Sequence, residues 1–349
     1  MESHLLAALI DARQPRDRSA RRVDAGQDGA GRSWYQGAMR IFALKGSEQL
    51  GDEIARSMWT EVERHEERDF EDGEHKARPL VGVRGEDVYV VHSLAGSDGE
   101  SVNDKLVKLL FFIAACKENG AARVTAVVPY LAYARKDRQT KPRDPVTTRY
   151  VAQLFEVVGT DCVMAIDVHN IVAFQNAFRC RTVHLDTRRL FVPSIIALAG
   201  DLPVTVFSPD GGGVKRAQLL KEAYEAKTGE AAGFGFIEKR RSGGVVSGDL
   251  FAGDVKDRAV FIVDDMISTG GTMLRAARAC RANGAARVYA LAAHGLFGEG
   301  AHAMLDDPAI DRVIVTDTLS SAAAAAARRT DGRFEILPVG PLIGEAIRR

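Results

Sequence analysis

The chain has 349 residues, 46% of them hydrophobic, and its 47 basic side chains are balanced by 47 acidic ones. This balance excludes a global attraction to nucleic acid or to an anionic membrane, so any affinity for anions must be local. The longest uncharged apolar run, Leu109 to Cys116, is too short to cross a bilayer, while the length suffices for two domains with cores of their own.

The N-terminal segment, residues 1 to 38, differs from the rest because it is rich in Arg, Asp and Gly and poor in apolar residues. We predict a mobile extension, and the alternative is a basic tail that binds a partner. No basic region followed by a long apolar core is present, so no signal peptide is predicted.

From Arg40 onward, strand and helix patterns alternate. Apolar runs at Ile41–Leu44, Val88–Val91 and Val124–Val128 predict strands, and Leu106–Lys117 has helical spacing that ends at Asn119-Gly120. Such alternation is typical of an α/β fold with mostly parallel sheets.

An internal repeat suggests how the chain is divided. The sequence around Gly120 (ENGAARVTA) recurs around Gly284 (ANGAARVYA), 164 residues later, each time between an apolar helix and an apolar strand. We therefore predict two related α/β domains in tandem, residues 39–185 and 186–349. Chance similarity between two helix ends is the alternative.

The four cysteines form no C-x-x-C pair. Cys116 and Cys280 lie in apolar helical patterns and are expected to be buried thiols, while Cys162 and Cys180 are widely spaced. This usage favours a reducing cytoplasm.

The most informative stretch follows the apolar run Val260–Val263. Asp264 and Asp265 come directly after this run, followed by a small-residue loop, Ser268–Thr272, and a helix start. Backbone amides of the loop can bind a phosphate, and the two carboxylates can accept hydrogen bonds from hydroxyl groups. The combination favours a sugar phosphate, and the alternative is a glycine turn with surface acids. No Walker sequence occurs.

A basic loop, Tyr133–Arg143, follows the strand that ends near Pro129. Five cations lie within its last nine residues, at the strand end where α/β sheets bind ligands. A polyphosphate is the partner that this charge favours, and a solvated loop is the alternative.

Three further groups of polar residues lie at predicted strand ends. Asp167 and His169 are two residues apart, so both could face a divalent cation or its water shell, or serve only the structure. Asp210 opens a loop of three glycines. Lys239 and Arg241 could stabilise a transferring phosphoryl group, or belong to a solvated turn.

Taken in order, these stretches resemble the ribose-phosphate pyrophosphokinase (phosphoribosyl pyrophosphate synthetase) family. The resemblance covers roughly residues 40 to 349 and also includes Gly253–Arg258 and the C-terminal Pro341–Ile347. It implies two type I phosphoribosyltransferase-like domains, Mg²⁺ dependence and a homo-oligomer that is dimer-based or hexameric. The implied reaction converts ATP and ribose 5-phosphate into AMP and 5-phospho-α-D-ribose 1-diphosphate.

The resemblance also implies roles for individual residues. Ribose 5-phosphate would be held by Asp264, Asp265, Ser268, Thr269, Gly270, Gly271 and Thr272. ATP would be held by Phe70, Asp72 and Glu74, in a turn that acts across a subunit boundary, and by Arg135, Lys136, Asp137 and His169. Mg²⁺ would be served by Asp167, His169 and Asp210. The catalytic pair would be Lys239 and Arg241.

Two other functions remain open at this point. One is a phosphoribosyltransferase that consumes phosphoribosyl pyrophosphate, which needs the Asp264–Thr272 stretch but neither the basic loop nor Lys239 and Arg241. The other is a catalytically silent regulatory subunit associated with a synthetase.

Overall fold

The computed structural model describes residues 38–97, 99–242, 245–320 and 332–349, without the side chains of residues 239–249. The predicted N-terminal extension, except for Ala38, lies outside the described residues. The strands are β1 (Met39–Ala43), β2 (His65–Asp69), β3 (His75–Pro79), β4 (Asp87–Val91), β5 (Arg123–Val127), β6 (Cys162–Ile166), β7 (Arg181–Leu185), β8 (Val204–Ser208), β9 (Gly233–Ser242), β10 (Val245–Ala252), β11 (Ala259–Ile267), β12 (Arg287–Gly295), β13 (Arg312–Thr316) and β14 (Phe334–Leu337). The helices are α1 (Glu48–Ser57), α2 (Val102–Glu118), α3 (Thr147–Val157), α4 (Ile171–Ala177), α5 (Arg188–Ala199), α6 (Val214–Thr228), α7 (Gly271–Ala282), α8 (His302–Leu305) and α9 (Gly340–Arg348).

The described strands form two large sheets and one hairpin. The first sheet is fully parallel, in the order β1-β4-β5-β6-β7. The second has the order β10-β9-β8-β11-β12-β13-β14 and is parallel except for the β9–β10 pair. Helices cover the sheets, and the apolar runs of the central strands, Val124–Val127 of β5 and Ala259–Val263 of β11, are buried. The predicted α/β fold with mostly parallel sheets is confirmed.

The repeated sequence forms the same helix end twice. Asn119 and Asn283 are the C-cap residues of α2 and α7, and each side-chain amide donates to a backbone carbonyl four residues earlier. Gly120 and Gly284 follow with φ values of 86° and 87°, the left-handed region that glycine tolerates. Cys116 and Cys280 also correspond, and both are buried as predicted.

Some elements differ from the sequence-based prediction. The hairpin of β2 and β3 was not foreseen, because its strands are charged (HEERD and HKARP) and show no apolar alternation. The strand β11 continues to Ile267, so the acid pair lies within the strand rather than after it. Likewise, β9 continues to Ser242, so the basic residues 239–241 lie in a strand of the β9–β10 ribbon and not in a turn.

The C-terminal helix α9 packs on α1, beneath the first sheet. Its Ile343 is buried with Ile54 of α1 and Ile41 of β1, and Gly344 approaches the backbone of α1 closely. Both ends of the compact unit, residues 37–349, therefore contribute to the core of the first sheet. The division of the chain at residue 185 stays a prediction, and α9 packs with the core of the first sheet although it belongs to the second segment. In the described part of the chain, no helix is long and apolar enough to cross a membrane.

Candidate active site

The polar stretches found in the sequence lie at the carboxyl ends of parallel strands. The basic loop follows β5, Asp167–His169 follow β6, Asp210 follows β8, and the Ser268–Thr272 loop follows β11. These strand ends are where open α/β sheets bind ligands, because loops and helix N-termini converge there. Among the contacts between the two sheets, His169 Nδ1 lies 2.9 Å from Asp265 Oδ2.

The acid pair is held by one guanidinium. Arg216, in the first turn of α6, places Nη1 3.3 Å from Asp264 Oδ1 and 3.5 Å from Asp265 Oδ1. The amide of Asp265 also donates to Asp264 Oδ1 at 2.8 Å. Asp265 is almost fully buried and Asp264 is partly open, so only Asp264 remains accessible to a ligand.

The two carboxyl groups differ in pKa because their partners differ. Burial and the neighbouring Asp265 charge raise the pKa of Asp264 above its ordinary value. Burial also acts on Asp265, but the hydrogen bond with His169 and the charge of Arg216 outweigh it and hold its pKa below the ordinary value. The same hydrogen bond raises the pKa of His169. Arg216, Asp265 and His169 thus form one charge network, and Asp264 is left under-compensated.

The Ser268–Thr272 loop leads into α7 with open amides. Gly270 is the N-cap residue, and no side chain caps the helix. Its φ of 76° suits glycine, and an added Cβ would lie only 2.7 Å from the Cβ of Met304. Thr269, Gly271 and Thr272 are exposed around the helix start. This arrangement can bind an anion such as a phosphate.

The side chains of Asp167 and His169 point in different directions. In a continued strand, residues two apart would face the same side. Strand β6 ends at Ile166, and Asp167 has a φ of 36°. The carboxylate of Asp167 accepts hydrogen bonds from the hydroxyl and the amide of Thr187, while His169 turns to Asp265. Burial raises the pKa of Asp167 to about 6.

Asp210 organises its own glycine loop. Its Oδ1 accepts from the amides of Gly212 (2.9 Å) and Gly213 (3.0 Å), which leaves Oδ2 for other partners. A Cβ at Gly213 would lie 2.7 Å from Ser208 Oγ, so this glycine is required by packing alone. Packing and hydrogen bonds within the loop therefore explain part of the run of three glycines.

The basic loop is fixed by internal bonds that involve Lys136. Lys136 Nζ pairs with Asp144, which also accepts from the amide and the hydroxyl of Thr140. Asp137 accepts from Asn170 at 2.6 Å, which joins the loop to the residue after His169. Arg135 is exposed. Of the two cations assigned to ATP, Arg135 is thus the more available.

The turn from Phe70 to Glu74 forms the tip of the β2–β3 hairpin. Phe70 is 41% exposed with the Arg68 guanidinium over its ring, and Asp72 accepts from the amide of Glu74. Within the described ranges, no hydrogen bond or ion pair joins Phe70, Asp72 or Glu74 to the acid pair or to the basic loop. The structure of one chain therefore does not bring this turn into the site.

Lys239 and Arg241 lie in β9, where their backbones pair with Asp249 and Val246 of β10. Their side chains are outside the described part of the structure. Their catalytic role stays a prediction.

Comparisons with known proteins identify the family. The model of the N-terminal domain of ribose phosphate pyrophosphokinase matches residues 39–159, and that of a phosphoribosyl synthetase-associated domain matches residues 249–349. The ribose-phosphate pyrophosphokinases of Hyphomonas neptunium and Aquifex aeolicus are 34% and 35% identical to this chain. Each alignment covers 89% of the chain, with 96% and 95% of the respective relative.

The chain belongs to the ribose-phosphate pyrophosphokinase family. Among solved structures, phosphoribosylpyrophosphate synthetase from Mycobacterium smegmatis aligns with a TM-score of 0.79 at 31% identity, over 89% of this chain and 98% of that chain. The match spans both sheets, so the phosphoribosyltransferase-like fold and the family predicted from the sequence are confirmed.

Sequence reasoning missed three residues at this pyrophosphokinase site. Arg216 lies in the first turn of α6, and its position after the Asp210 loop is the signal that could have placed it at a strand end. His294 lies in the apolar strand β12, and Tyr130 lies three residues after the end of β5. Their roles depend on neighbours that are distant in sequence.

Proposed function

We propose that the chain transfers the diphosphoryl group of ATP to ribose 5-phosphate, which yields AMP and 5-phospho-α-D-ribose 1-diphosphate. The 2.9 Å contact between His169 and Asp265 carries the proposal, because it joins the strand end beside the basic loop to the acid pair of the other sheet. A phosphoribosyltransferase site needs the acid pair but not the basic loop, so family membership and the contact between His169 and Asp265 together favour the synthetase reaction.

At the sugar end, the open amides of Ser268, Thr269, Gly270, Gly271 and Thr272 would bind the 5-phosphate. Asp264 would accept hydrogen bonds from ribose hydroxyls, because its carboxylate is the accessible one of the pair. Asp265 would act mainly through Arg216 and His169, which orient it from both sides.

At the nucleotide end, Arg135 would bind the triphosphate, while Lys136 and Asp137 would hold the loop in shape. Phe70, Asp72 and Glu74 would contact the adenine of a site in a neighbouring subunit, which requires a homo-oligomer. We also propose a cytoplasmic location, in keeping with the free cysteines.

The donor set fits Mg²⁺ that is bound largely through substrate. No three His, Cys, Asp or Glu side chains converge on one point within the described residues. Mg²⁺ commonly takes one or two carboxylates and completes its shell with substrate phosphates and water. His169 and Asp210 would hold the ion, because each keeps one donor atom free of the hydrogen bonds described above. Asp167, bound to Thr187, would fix the turn.

In the reaction, the anomeric hydroxyl attacks the β-phosphorus of ATP. A bond forms between the O1 atom of ribose and the β-phosphorus, the bond from the β-phosphorus to the α–β bridging oxygen breaks, and AMP leaves with that oxygen while the hydroxyl proton passes to solvent. Bound Mg²⁺ supplies charge neutralisation on the triphosphate. Lys239 and Arg241 would stabilise charge on the transferred group.

The test is a product assay with purified protein, Mg·ATP and ribose 5-phosphate, followed by ³¹P NMR. The expected result is AMP and phosphoribosyl pyrophosphate in equal amounts. Lys239→Ala should lower kcat by roughly 10²-fold, the size seen on removing one donor to a transition-state anion. Its melting temperature should match that of the unsubstituted chain.

The alternatives give other products. AMP without phosphoribosyl pyrophosphate would mean ATP hydrolysis or another acceptor. Absence of AMP, with stimulation of an added active synthetase, would identify a regulatory subunit. Consumption of added phosphoribosyl pyrophosphate with a nucleobase would identify a transferase. Each of these outcomes rejects the proposal.

A further inference from the structure

His294 lies at the carboxyl end of β12 and is buried with both ring nitrogens occupied. Its Nε2 lies 3.0 Å from the carbonyl oxygen of Ile166, and its Nδ1 lies 2.9 Å from Thr318 Oγ1. A carbonyl oxygen can only accept, so Nε2 carries the proton and donates. Burial lowers the pKa of His294 to about 4, so the ring is neutral and Nδ1 can accept from the Thr318 hydroxyl, which also lies 3.1 Å from the carbonyl oxygen of Ala293.

The two partners of His294 belong to different sheets. Thr318 follows β13 of the second sheet, whereas Ile166 is the last residue of β6 in the first. Asp167–His169 begin at the next residue, so the hydrogen bond from Nε2 fixes the point from which this turn starts. Along the second sheet, His294 pairs in register with Met266, the neighbour of Asp265.

His294 also contacts the segment between β5 and the basic loop. The ring of Tyr130 meets its imidazole edge-on, with centroids 5.1 Å apart. Tyr130, Ile166, Met266 and His294 line a gap of about 10 Å³, which is too small for a substrate. One buried side chain therefore touches the bases of three substrate-facing segments without reaching the substrates.

A second hydrogen bond between the sheets provides a comparison. Ser93 Oγ donates to the backbone carbonyl of Thr318 at 2.6 Å, and both residues are buried. Ser93 follows β4, whose loop carries none of the residues assigned to ATP, ribose 5-phosphate or Mg²⁺. Loss of this bond should weaken the junction without displacing the turn after β6.

We propose that His294 is a positioning residue that aligns the Asp167–His169 turn and the basic loop with the acid pair. The inference rests on the proposed function, in which a nucleotide bound at the first sheet must meet a sugar bound at the second. Alignment of two bound reactants is sensitive, since a displacement of about 1 Å can cost about 10²-fold in rate. His294 therefore acts on turnover through Ile166 and Tyr130.

Two substitutions separate its two hydrogen bonds. His294→Gln places an amide nitrogen near the position of Nε2 and can still donate to Ile166. His294→Asn is shorter, so its amide can reach Thr318 but not Ile166. We expect His294→Gln to keep kcat within about threefold, and His294→Asn to lower kcat by about 10- to 100-fold with the KM for ribose 5-phosphate nearly unchanged. Ser93→Ala should lower the melting temperature but not kcat.

A binding experiment makes the test independent of turnover. Ribose 5-phosphate affinity is measured by calorimetry with and without a non-hydrolysable ATP analogue. The nucleotide should change this affinity in the unsubstituted chain and in His294→Gln, and the change should vanish in His294→Asn. If the chain forms no product, the proposed function fails. The effect of the nucleotide on ribose 5-phosphate affinity still decides the role of His294.

Two results would overturn the inference. In the first, His294→Gln and His294→Asn lose kcat to the same extent, and also the effect of the nucleotide on ribose 5-phosphate affinity, in proportion to their fall in melting temperature. The other is a loss in Ser93→Ala as large as that in His294→Asn. Either result would reduce His294 to a structural residue of the junction.

Discussion

Asp264 and Asp265 are adjacent and chemically identical, yet the structure predicts opposite effects on stability when each becomes an amide. Asp264 is partly buried beside a second carboxylate, and one guanidinium contacts both. Asp265 has both Arg216 and His169. Asp264→Asn should therefore stabilise the fold at alkaline pH, while Asp265→Asn should destabilise it.

The magnitudes follow from the distances. A cation 3.3 Å from an anion contributes about 5 kcal/mol at an effective dielectric constant of 20. Arg216 lies nearly as close to Asp265, at 3.5 Å, so one positive charge faces two negative ones and does not fully offset the desolvation of Asp264. A fully uncompensated buried charge costs about 3–5 kcal/mol, and because Arg216 compensates part of the Asp264 charge, Asp264→Asn should gain less than that. Removing the charge of Asp265 should cost about 3–5 kcal/mol, because it breaks the contacts of His169 and Arg216 together.

The pH dependence has a definite sign. The folded-state pKa of Asp264 is raised above its unfolded value, so its contribution to stability is full below the unfolded pKa and is lost as pH rises through the folded pKa. Asp264→Asn should thus change the free energy of unfolding little near pH 5 and raise it near pH 8. The pKa of Asp265 is lowered, so its contribution is present above the unfolded pKa and lost in acid.

Urea unfolding at pH 5 and pH 8, with protein concentration held fixed, measures both effects. The KM for ribose 5-phosphate, measured in parallel, should rise for both variants, so Asp264→Asn should be more stable and less active. If both substitutions shift stability in the same direction at pH 8, or if the gain from Asp264→Asn does not depend on pH, the assignment of charges is wrong.

Two further predictions concern the glycine loop and the hairpin. Gly270→Ala should lower the free energy of unfolding by about 2–4 kcal/mol, because Gly270 has a φ of 76° and an added Cβ would meet Met304. Gly271→Ala should cost little, because the nearest atom to its added Cβ is 4.0 Å away. Urea unfolding of both variants measures the two costs, and equal costs would contradict the packing argument. Lys108, almost fully buried, donates to Asp69, beside the tip of the hairpin, and to Glu100, so Lys108→Met should raise the KM for ATP severalfold and leave that for ribose 5-phosphate unchanged. The exposed pair of Lys76 and Glu66 is the control, since Lys76→Met should lower the free energy of unfolding by less than about 1 kcal/mol and leave activity unchanged. An unchanged KM for ATP in Lys108→Met would show that the hairpin takes no part in nucleotide binding.

The sequence was sufficient for the scaffold because buried parallel strands have continuous apolar runs. The glycines of the Ser268–Thr272 loop and the repeat around Gly120 and Gly284 marked helix starts and ends directly. The strand ends therefore located the polar loops before their geometry was known. The family resemblance added the reaction, which no run of residues reveals alone.

The remaining features depend on contacts that no local pattern encodes. The charged strands β2 and β3 are stabilised by pairing with each other and by packing on α2, so they lack apolar alternation. The left-handed conformation of Asp167 follows from its bonds to Thr187, which lies 20 residues later. Arg216 reaches the acid pair from another element, 48 residues earlier than Asp264.

The repeat explains why the two sets of loops face each other. The spacing of 164 residues that separates Cys116 from Cys280, and Gly120 from Gly284, also separates Tyr130 from His294. These two residues occupy equivalent positions in the repeat, seven residues after the first residues of β5 and β12, and their rings are in contact. Contact at these positions, at or just past the strand ends, brings the carboxyl ends of β5 and β12 together. We infer that the opposition of the basic loop and the Ser268–Thr272 loop follows from this repeat, and that the two loops then differ only in the residues that they carry.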